Sequence, residues 1–227
     1  MTNGMNIKVF DDMLSLAVAA ADHVESVISI VDHLSLGLAG GSTPRLIHRE
    51  LAGRQIDWDS VTTWITDARW VHSAHGDANQ RMVRETLVAD TGVTFLAPDT
   101  ALDTPKASAK AYTETLRQAG VPGRSRSIIM LGIGADGHTA SLFPGTKALD
   151  AKGERYVANY VPRLETWRLT ATFDLIATAD LVVFLAAGEN KAEALRDISN
   201  GSDHPAGQVT CHGEVLWLLD EAAAQHL

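Results

Sequence analysis

Leu131-Gly132-Ile133-Gly134-Ala135-Asp136-Gly137-His138-Thr139-Ala140-Ser141-Leu142-Phe143-Pro144-Gly145 decides how this 227-residue chain is read. Ahead of it runs Ser127-Ile128-Ile129-Met130-Leu131, apolar, of strand length and bounded by Arg126. Such a run suits a strand buried on both faces. The glycines then free the backbone where the strand ends, which is where open α/β sheets place their ligands. Asp136 and His138 stand two residues apart in that turn. One is a carboxylate, the other the side chain that most readily exchanges a proton near neutral pH. Two readings stand at this point: a catalytic pair delivered to the sheet edge, or a glycine-rich turn with a capping aspartate and a solvated histidine.

Residues 132–137 also match G-x-G-x-x-G. The dinucleotide interpretation of that pattern needs a helix opening at the third glycine. Pro144 stops any helix there within about two turns. An aspartate in the turn would repel a pyrophosphate, and the match lies in mid-chain rather than in a first βα unit. The nucleotide reading is therefore set aside.

Working outward, strands and helices alternate. Ile7-Lys8-Val9-Phe10 reads as a strand, followed by a helix to about residue 31 with Asp11 or Asp12 as its cap. Leu34-Ser35-Leu36-Gly37-Leu38-Ala39 is a second strand. It runs into Gly40-Gly41-Ser42-Thr43-Pro44 and a helix over about 44–51. Two glycines allow close approach to a ligand, Ser42 or Thr43 can cap, and Pro44 suits a first turn. The free N–H groups there form an anion site, or simply a well-capped helix start. Residues 61–66 form a third strand, with Asp67 and Arg69 emerging at its end. A helix over about 77–89, an edge strand over 93–96 and a helix over about 105–119 follow, broken by Gly120-Val121-Pro122-Gly123. Beyond Gly145, residues 155–161 and 167–172 read as strands, 173–179 as a short helix and 181–187 as a buried strand. Lys191 falls in the first turn of the next helix, where a cation opposes the dipole unless an anion is held there; a solvated lysine is the other reading. Residues 215–219 form a last strand, with Asp220 capping a terminal helix. The expectation is a single domain over 1–227, a three-layer α/β/α fold around a mostly parallel, Rossmann-like sheet.

Composition narrows the function. Hydrophobic residues make up 45% and charged residues 21%, so an ordinary globular core is expected. A net charge of −9 argues against nucleic-acid or anionic-membrane partners, which want a basic face. A small anionic substrate held by a few local cations fits. The single cysteine, Cys211, can form no internal disulfide, and no signal pattern opens the chain, so a cytoplasmic protein is expected. His72, His75 and Asp77 fit no common zinc spacing, and no metal is expected.

On these motifs the chain resembles the 6-phosphogluconolactonases, within the glucosamine-6-phosphate isomerase/deaminase-like group. The resemblance covers about residues 38–223. It is carried by residues 40–44, Asp67-Ala68-Arg69-Trp70-Val71, Asp77-Ala78-Asn79, residues 132–145, Arg168-Leu169-Thr170, residues 188–191, Pro205-Ala206 and Trp217-Leu218-Leu219-Asp220. It implies hydrolysis of 6-phospho-D-glucono-1,5-lactone in the oxidative pentose phosphate pathway, with no metal or organic cofactor, by a monomer or small homo-oligomer. By resemblance His138 is the general base and Asp136 orients it. Gly40, Gly41, Ser42 and Thr43 form the ligand loop, joined by Asp67. Arg69, Arg168 and Lys191 hold the sugar phosphate. Ser141 lies near the histidine, but nothing makes it a nucleophile. The family usually reads Asp-Glu-Arg where this chain has Asp67-Ala68-Arg69, which leaves a carboxylate missing and keeps a sugar-phosphate binder without turnover as an alternative. A sugar-phosphate isomerase or deaminase of the same fold is the other. The deaminases continue Phe-Asn-Glu-Pro where this chain has Ser141-Leu142-Phe143-Pro144.

Overall fold

The computed structural model describes residues 4–121 and 126–227. The opening residues 1–3 and the Pro122–Gly123 break, both used in the sequence reading, lie outside the described residues.

Among the described residues ten strands and eight helices alternate. In chain order they are β1 (Asn6–Phe10), α1 (Met13–Ile28), β2 (Leu34–Leu38), α2 (Ser42–Ala52), β3 (Val61–Ile65), β4 (Asp67–Arg69), α3 (Asn79–Val83) and α4 (Ala89–Thr91). Then come β5 (Thr94–Leu96), α5 (Pro105–Gln118), β6 (Arg126–Gly132), β7 (Tyr156–Val161), β8 (Thr166–Ala171) and α6 (Phe173–Ile176). The chain closes with β9 (Leu181–Ala186), α7 (Ala192–Ser199), β10 (Glu214–Asp220) and α8 (Glu221–Ala224). Seven strands form one sheet in the order β1-β10-β9-β6-β2-β3-β5. Every pairing in it is parallel. Helices flank the sheet, as the alternation predicts, and β5 is its edge.

The local signals act as their chemistry dictates. Asp12 caps α1: its carboxylate accepts from the Ser15 backbone at 2.7 Å, and the Asp12 N–H donates back to the Ser15 hydroxyl. Leu16, Ala17, Ala20, Ala21, Val24 and Ile28 then share one buried stripe. The helix ends three residues before the expected limit. There the Ser26 and Ser29 hydroxyls turn back to the carbonyls of His23 and Ser26. The helix expected over 77–89 starts at Asn79 and widens into a π-helical stretch over Arg84–Val88. There Thr86 donates to the Met82 carbonyl. In the core, Trp64 lies flat over Gly37, where a Cβ would fall 2.8 Å from the indole. Its N–H donates to buried Ser35 at 3.1 Å.

The expectation of one sheet needs correction. β4, β7 and β8 form a second, antiparallel sheet in the order β4-β8-β7. Asp67-Ala68-Arg69 is thus a strand in its own right and not the tail of β3. A single residue, Thr66, makes the transfer: its hydroxyl donates to the Leu38 carbonyl in the first sheet, and its carbonyl accepts from Ala171 in the second. A hydrophobic core runs through both sheets, including Leu36, Ile129, Ala68, Leu169 and Ala171.

β6 sits between β9 and β2. The connection after β2 goes to β3 on one side, while that after β6 leads to β9 on the other. This is a topological switch point, and the loops leaving β2 and β6 face one another across it. The far end of the sheet is tied by Asp220. Its carboxylate accepts from the backbone of Gly188 at 3.0 Å and of Ala223 at 2.7 Å. Asp220→Ala is expected to cost about 2 kcal/mol, since two buried N–H groups lose a charged partner. Urea unfolding checks this, with a lowered midpoint at unchanged slope.

Candidate active site

The crevice at the switch point is a cleft of about 380 Å³. The β2 loop supplies Ala39, Gly40 and Gly41. β4 supplies Asp67 and Arg69, and Asn79 starts α3. The turn after β6 brings His138, Ala140, Ser141 and Phe143, and Arg163, Leu164 and Arg168 close the wall.

No helix follows the glycines of the β6 turn. Gly134 N–H donates to the His138 carbonyl at 2.8 Å, and Gly137 N–H to the Gly134 carbonyl at 3.0 Å. This tight loop lays the imidazole over Gly134, where a Cβ would fall 2.0 Å from Nδ1. The glycines therefore serve the histidine and no pyrophosphate. His138 Nδ1 is hydrogen-bonded to Asp136 Oδ1. The ring is stacked on Phe143, with centroids 4.0 Å apart and planes at 21°. The bond to Asp136 leaves Nε2 as the free ring nitrogen. Burial pushes the Asp136 carboxyl up, but the bond from His138 and the charges of His138 and Arg163 together hold it below the ordinary carboxylate range. It is an anion at neutral pH, as an orienting partner of an imidazole must be.

Ser141 is spoken for. Its buried hydroxyl donates to Asp67 Oδ2 at 2.7 Å, and its N–H donates to Thr170. An O–H given to the Asp67 carboxylate, with no histidine among the described residues to take its proton, is not poised as a nucleophile. Asn79 donates to both the carbonyl and Oδ1 of Asp67, at 3.1 and 3.3 Å. It lies against Gly40, where a Cβ would fall 2.3 Å from its amide carbon. Gly40 is needed for that approach, and Gly41 for its φ of 117° at the start of α2.

The cations divide. Arg69 and Arg168 are directly opposite each other in the β4–β8 pair, a like-charge arrangement that an intervening anion would relieve. Arg69 is braced from behind by the Asp77 carbonyl at 3.0 Å. Arg168 is half-buried and its Nε has no partner among the described residues. Burial draws its pKa below the ordinary arginine value, and Arg69 adds to this while Asp67 and Asp77 oppose it. Lys191 ends a short turn after β9, at the N-terminus of α7, and does not line the cleft. Burial lowers its pKa, and the nearby Asp136 charge opposes this.

Other expected residues are placed differently. Thr43 is buried with its hydroxyl turned to the Met13 sulfur at 3.5 Å, away from the cleft, and Gly41 rather than Ser42 or Thr43 takes the cap position. Ser42 is exposed and makes no capping bond. His72 and His75 accept from backbone N–H groups two residues on, at 3.2 and 3.1 Å, so they shape their own loop. Among the described residues no group of three His, Cys, Asp or Glu side chains is arranged to hold a metal. Ala68 is buried in the core, on the opposite face of β4 from Asp67 and Arg69. The departure from Asp-Glu-Arg removes nothing from the cleft wall. Asn79 and Arg163 were not marked as site residues from sequence. Asn79 stood inside a quoted motif, whereas Arg163 carried no local signal.

Comparison with known proteins agrees with this architecture. A curated 6-phosphogluconolactonase of Synechocystis sp. is 36% identical over 206 residues, covering 85% of this chain and 84% of its own. That of Nostoc sp. is 29% identical over 236 residues, covering 97% and 98%. The crystal structure of a 6-phosphogluconolactonase from Shewanella baltica superposes with a TM-score of 0.87 at 26% identity, covering 97% of this chain and 99% of that one. The family described as Glucosamine-6-phosphate isomerases/6-phosphogluconolactonase matches residues 11–217, and the chain belongs to that family.

Proposed function

We propose that this protein is a 6-phosphogluconolactonase, hydrolysing 6-phospho-D-glucono-1,5-lactone to 6-phospho-D-gluconate in the pentose phosphate pathway. The observation that carries the reading is the juxtaposition in one cleft of His138, bonded to the ionised Asp136 carboxylate, with two facing arginines. Curated relatives bearing that name over most of their length support it. His138 Nε2 takes a proton from a water that attacks the lactone carbonyl. The bond from the carbonyl carbon to the ring oxygen then breaks, and the proton passes to that oxygen as the ring opens. A lactone is already an activated ester, so positioning and one base suffice, and no side-chain nucleophile is used. Gly40 and Gly41 with Asp67 receive the sugar, while Arg69 and Arg168 hold the phosphate and Lys191 supports them from the rim. Ser42 offers its backbone N–H at the start of α2.

The same reading makes the chain one domain, supported by a core continuous from Leu16 to Ala223. It makes the protein a cytoplasmic enzyme acting on a small sugar phosphate, without metal or organic cofactor, and a monomer or small homo-oligomer. No helix among the described residues is long and apolar enough to cross a membrane.

Two alternatives lose their support. A deaminase needs an acid–base partner beside its histidine, and here that position is Phe143, whose ring neither gives nor takes a proton. The binder without turnover rested on Ala68, which lies in the core. The test is a coupled assay with freshly generated lactone, its spontaneous opening subtracted, beside ammonia release from glucosamine 6-phosphate. Clear acceleration of the first and none of the second is expected. Ammonia release at an enzymatic rate, abolished by His138→Ala, would overturn the reading. Absence of both activities with binding retained would restore the binder.

A further inference from the structure

Arg163 belongs to the turn Pro162–Leu164 that joins β7 to β8, closed by Glu165 in the left-handed region at φ 48°. Its guanidinium is half-exposed, yet it turns inward to two partners. Nη2 forms an ion pair with Asp136 Oδ2, the buried carboxylate oxygen that His138 does not use and that accepts no hydrogen bond among the described residues. Its Cζ lies 5.0 Å from the centroid of Phe143, the ring on which His138 stacks. Among the described residues, His138 and Arg163 are the side chains bonded or paired to Asp136.

We infer that Arg163 is a positioning residue for the base: it claims Oδ2 of Asp136, commits Oδ1 to His138 Nδ1, and so keeps Nε2 as the proton-accepting nitrogen. This rests on the lactonase reading of the site. Arg163 touches both supports of the imidazole, the carboxylate behind it and the aromatic ring beneath it. A hairpin turn of the second sheet thereby sets the orientation of a turn in the first.

The inference carries a sign. A cation against Oδ2 offsets part of the carboxylate charge that would stabilise a protonated imidazole. Its removal favours protonation, so the acid limb of the pH profile moves to higher pH. The other titratable and charged groups facing the pair stay in place. They are Lys191 after β9, His204 packed on Gly137, Arg69 and Arg168 on the cleft wall, and Asp67 across Ser141.

The experiment compares Arg163→Ala, Arg163→Gln and Arg163→Lys with wild type. For Ala and Gln, the acid limb of kcat/KM for the phosphorylated lactone is expected to move up by about 0.5–1 pH unit. Their kcat should fall about tenfold with little change in KM. Lys keeps the charge and should return the limb toward wild type. A second readout needs no substrate: titration of the His138 ring followed by ¹⁵N NMR should move in the same direction in Ala and Gln. If wild type fails to hydrolyse the lactone while the NMR shift is seen, the activity reading falls and the Arg163 pairing stands. A limb and ring titration unmoved in both Ala and Gln would overturn the inference. So would a loss confined to KM, which would make Arg163 a substrate ligand. Should Ala fail to fold, Gln against Lys carries the same comparison.

Discussion

Replacing His138 with alanine is expected to lower kcat for the phosphorylated lactone by about two to four orders of magnitude, the range for a positioned base. The fold should survive. The ring is part-exposed, stacked on Phe143 at 4.0 Å, and among the described residues hydrogen-bonded only within its own turn. The loop itself is held by backbone bonds among Gly134, Gly137 and His138, which alanine retains. Unchanged circular dichroism and a near-normal urea midpoint should therefore accompany the loss. In wild type the base must be neutral to accept a proton, so kcat/KM should fall on acidification as the imidazole protonates. Asp136, already held below the ordinary carboxylate range, stays ionised through that window and contributes no second limb near neutrality. The uncatalysed opening of the lactone sets a floor that must be subtracted. Near-full activity in a folded His138→Ala protein would remove the histidine from the mechanism and leave the cations and the glycine loop to explain the rate.

The β6 turn could be read in advance because several constraints agree there. A strand apolar along its length, a glycine cluster at its end and a proline seven residues after Gly137 exclude a dinucleotide helix and leave a loop. The parallel sheet was legible for the same reason, since each of β2, β6 and β9 is a short, mostly buried run with glycine at or just beyond its end. The second sheet was not. β7 and β8 form a local hairpin, but β4 precedes them by most of the chain's middle, is only three residues long, and its antiparallel pairing with β8 leaves no local trace. Missing that pairing hid two things. Alternation along β4 sends Ala68 into the core while Asp67 and Arg69 face the cleft. Read as the end of β3, the three residues looked like one site with a missing carboxylate. The hairpin turn between β7 and β8 reaches the Asp136–His138 pair only because β8 is docked on β4, so Arg163 could not be found by spacing. Thr43 fails for a simpler reason: as the second residue of α2 its hydroxyl points toward α1 and finds Met13.

Arg168→Ala is expected to raise KM for the phosphorylated lactone by about 100-fold, the loss of one or two charge-assisted bonds to a phosphate. Its kcat should change little, because binding through a remote group is shared by ground and transition states. The unphosphorylated lactone, expected to be a much poorer substrate, should be nearly indifferent to the substitution. The free protein argues for this role. Arg168 sits opposite Arg69 across the β4–β8 pair, half-buried, with Nε unpartnered and its pKa drawn down by burial. A structural arginine would have found a carboxylate bond. This one carries a desolvated charge that only an anion in the cleft would complete. Removing it should therefore leave thermal stability unchanged or slightly raised in buffer without phosphate. Inorganic phosphate should raise Tm in wild type by preferential binding to the folded state, and that rise should shrink or vanish in Arg168→Ala. Arg69→Ala should resemble it in KM but lose some stability, since Arg69 braces the loop before α3 through the Asp77 carbonyl. Equal kcat/KM for the two lactones in wild type would mean that the facing arginines do not read phosphate. A large fall in Tm for Arg168→Ala would mean that the residue holds the second sheet together and not the substrate.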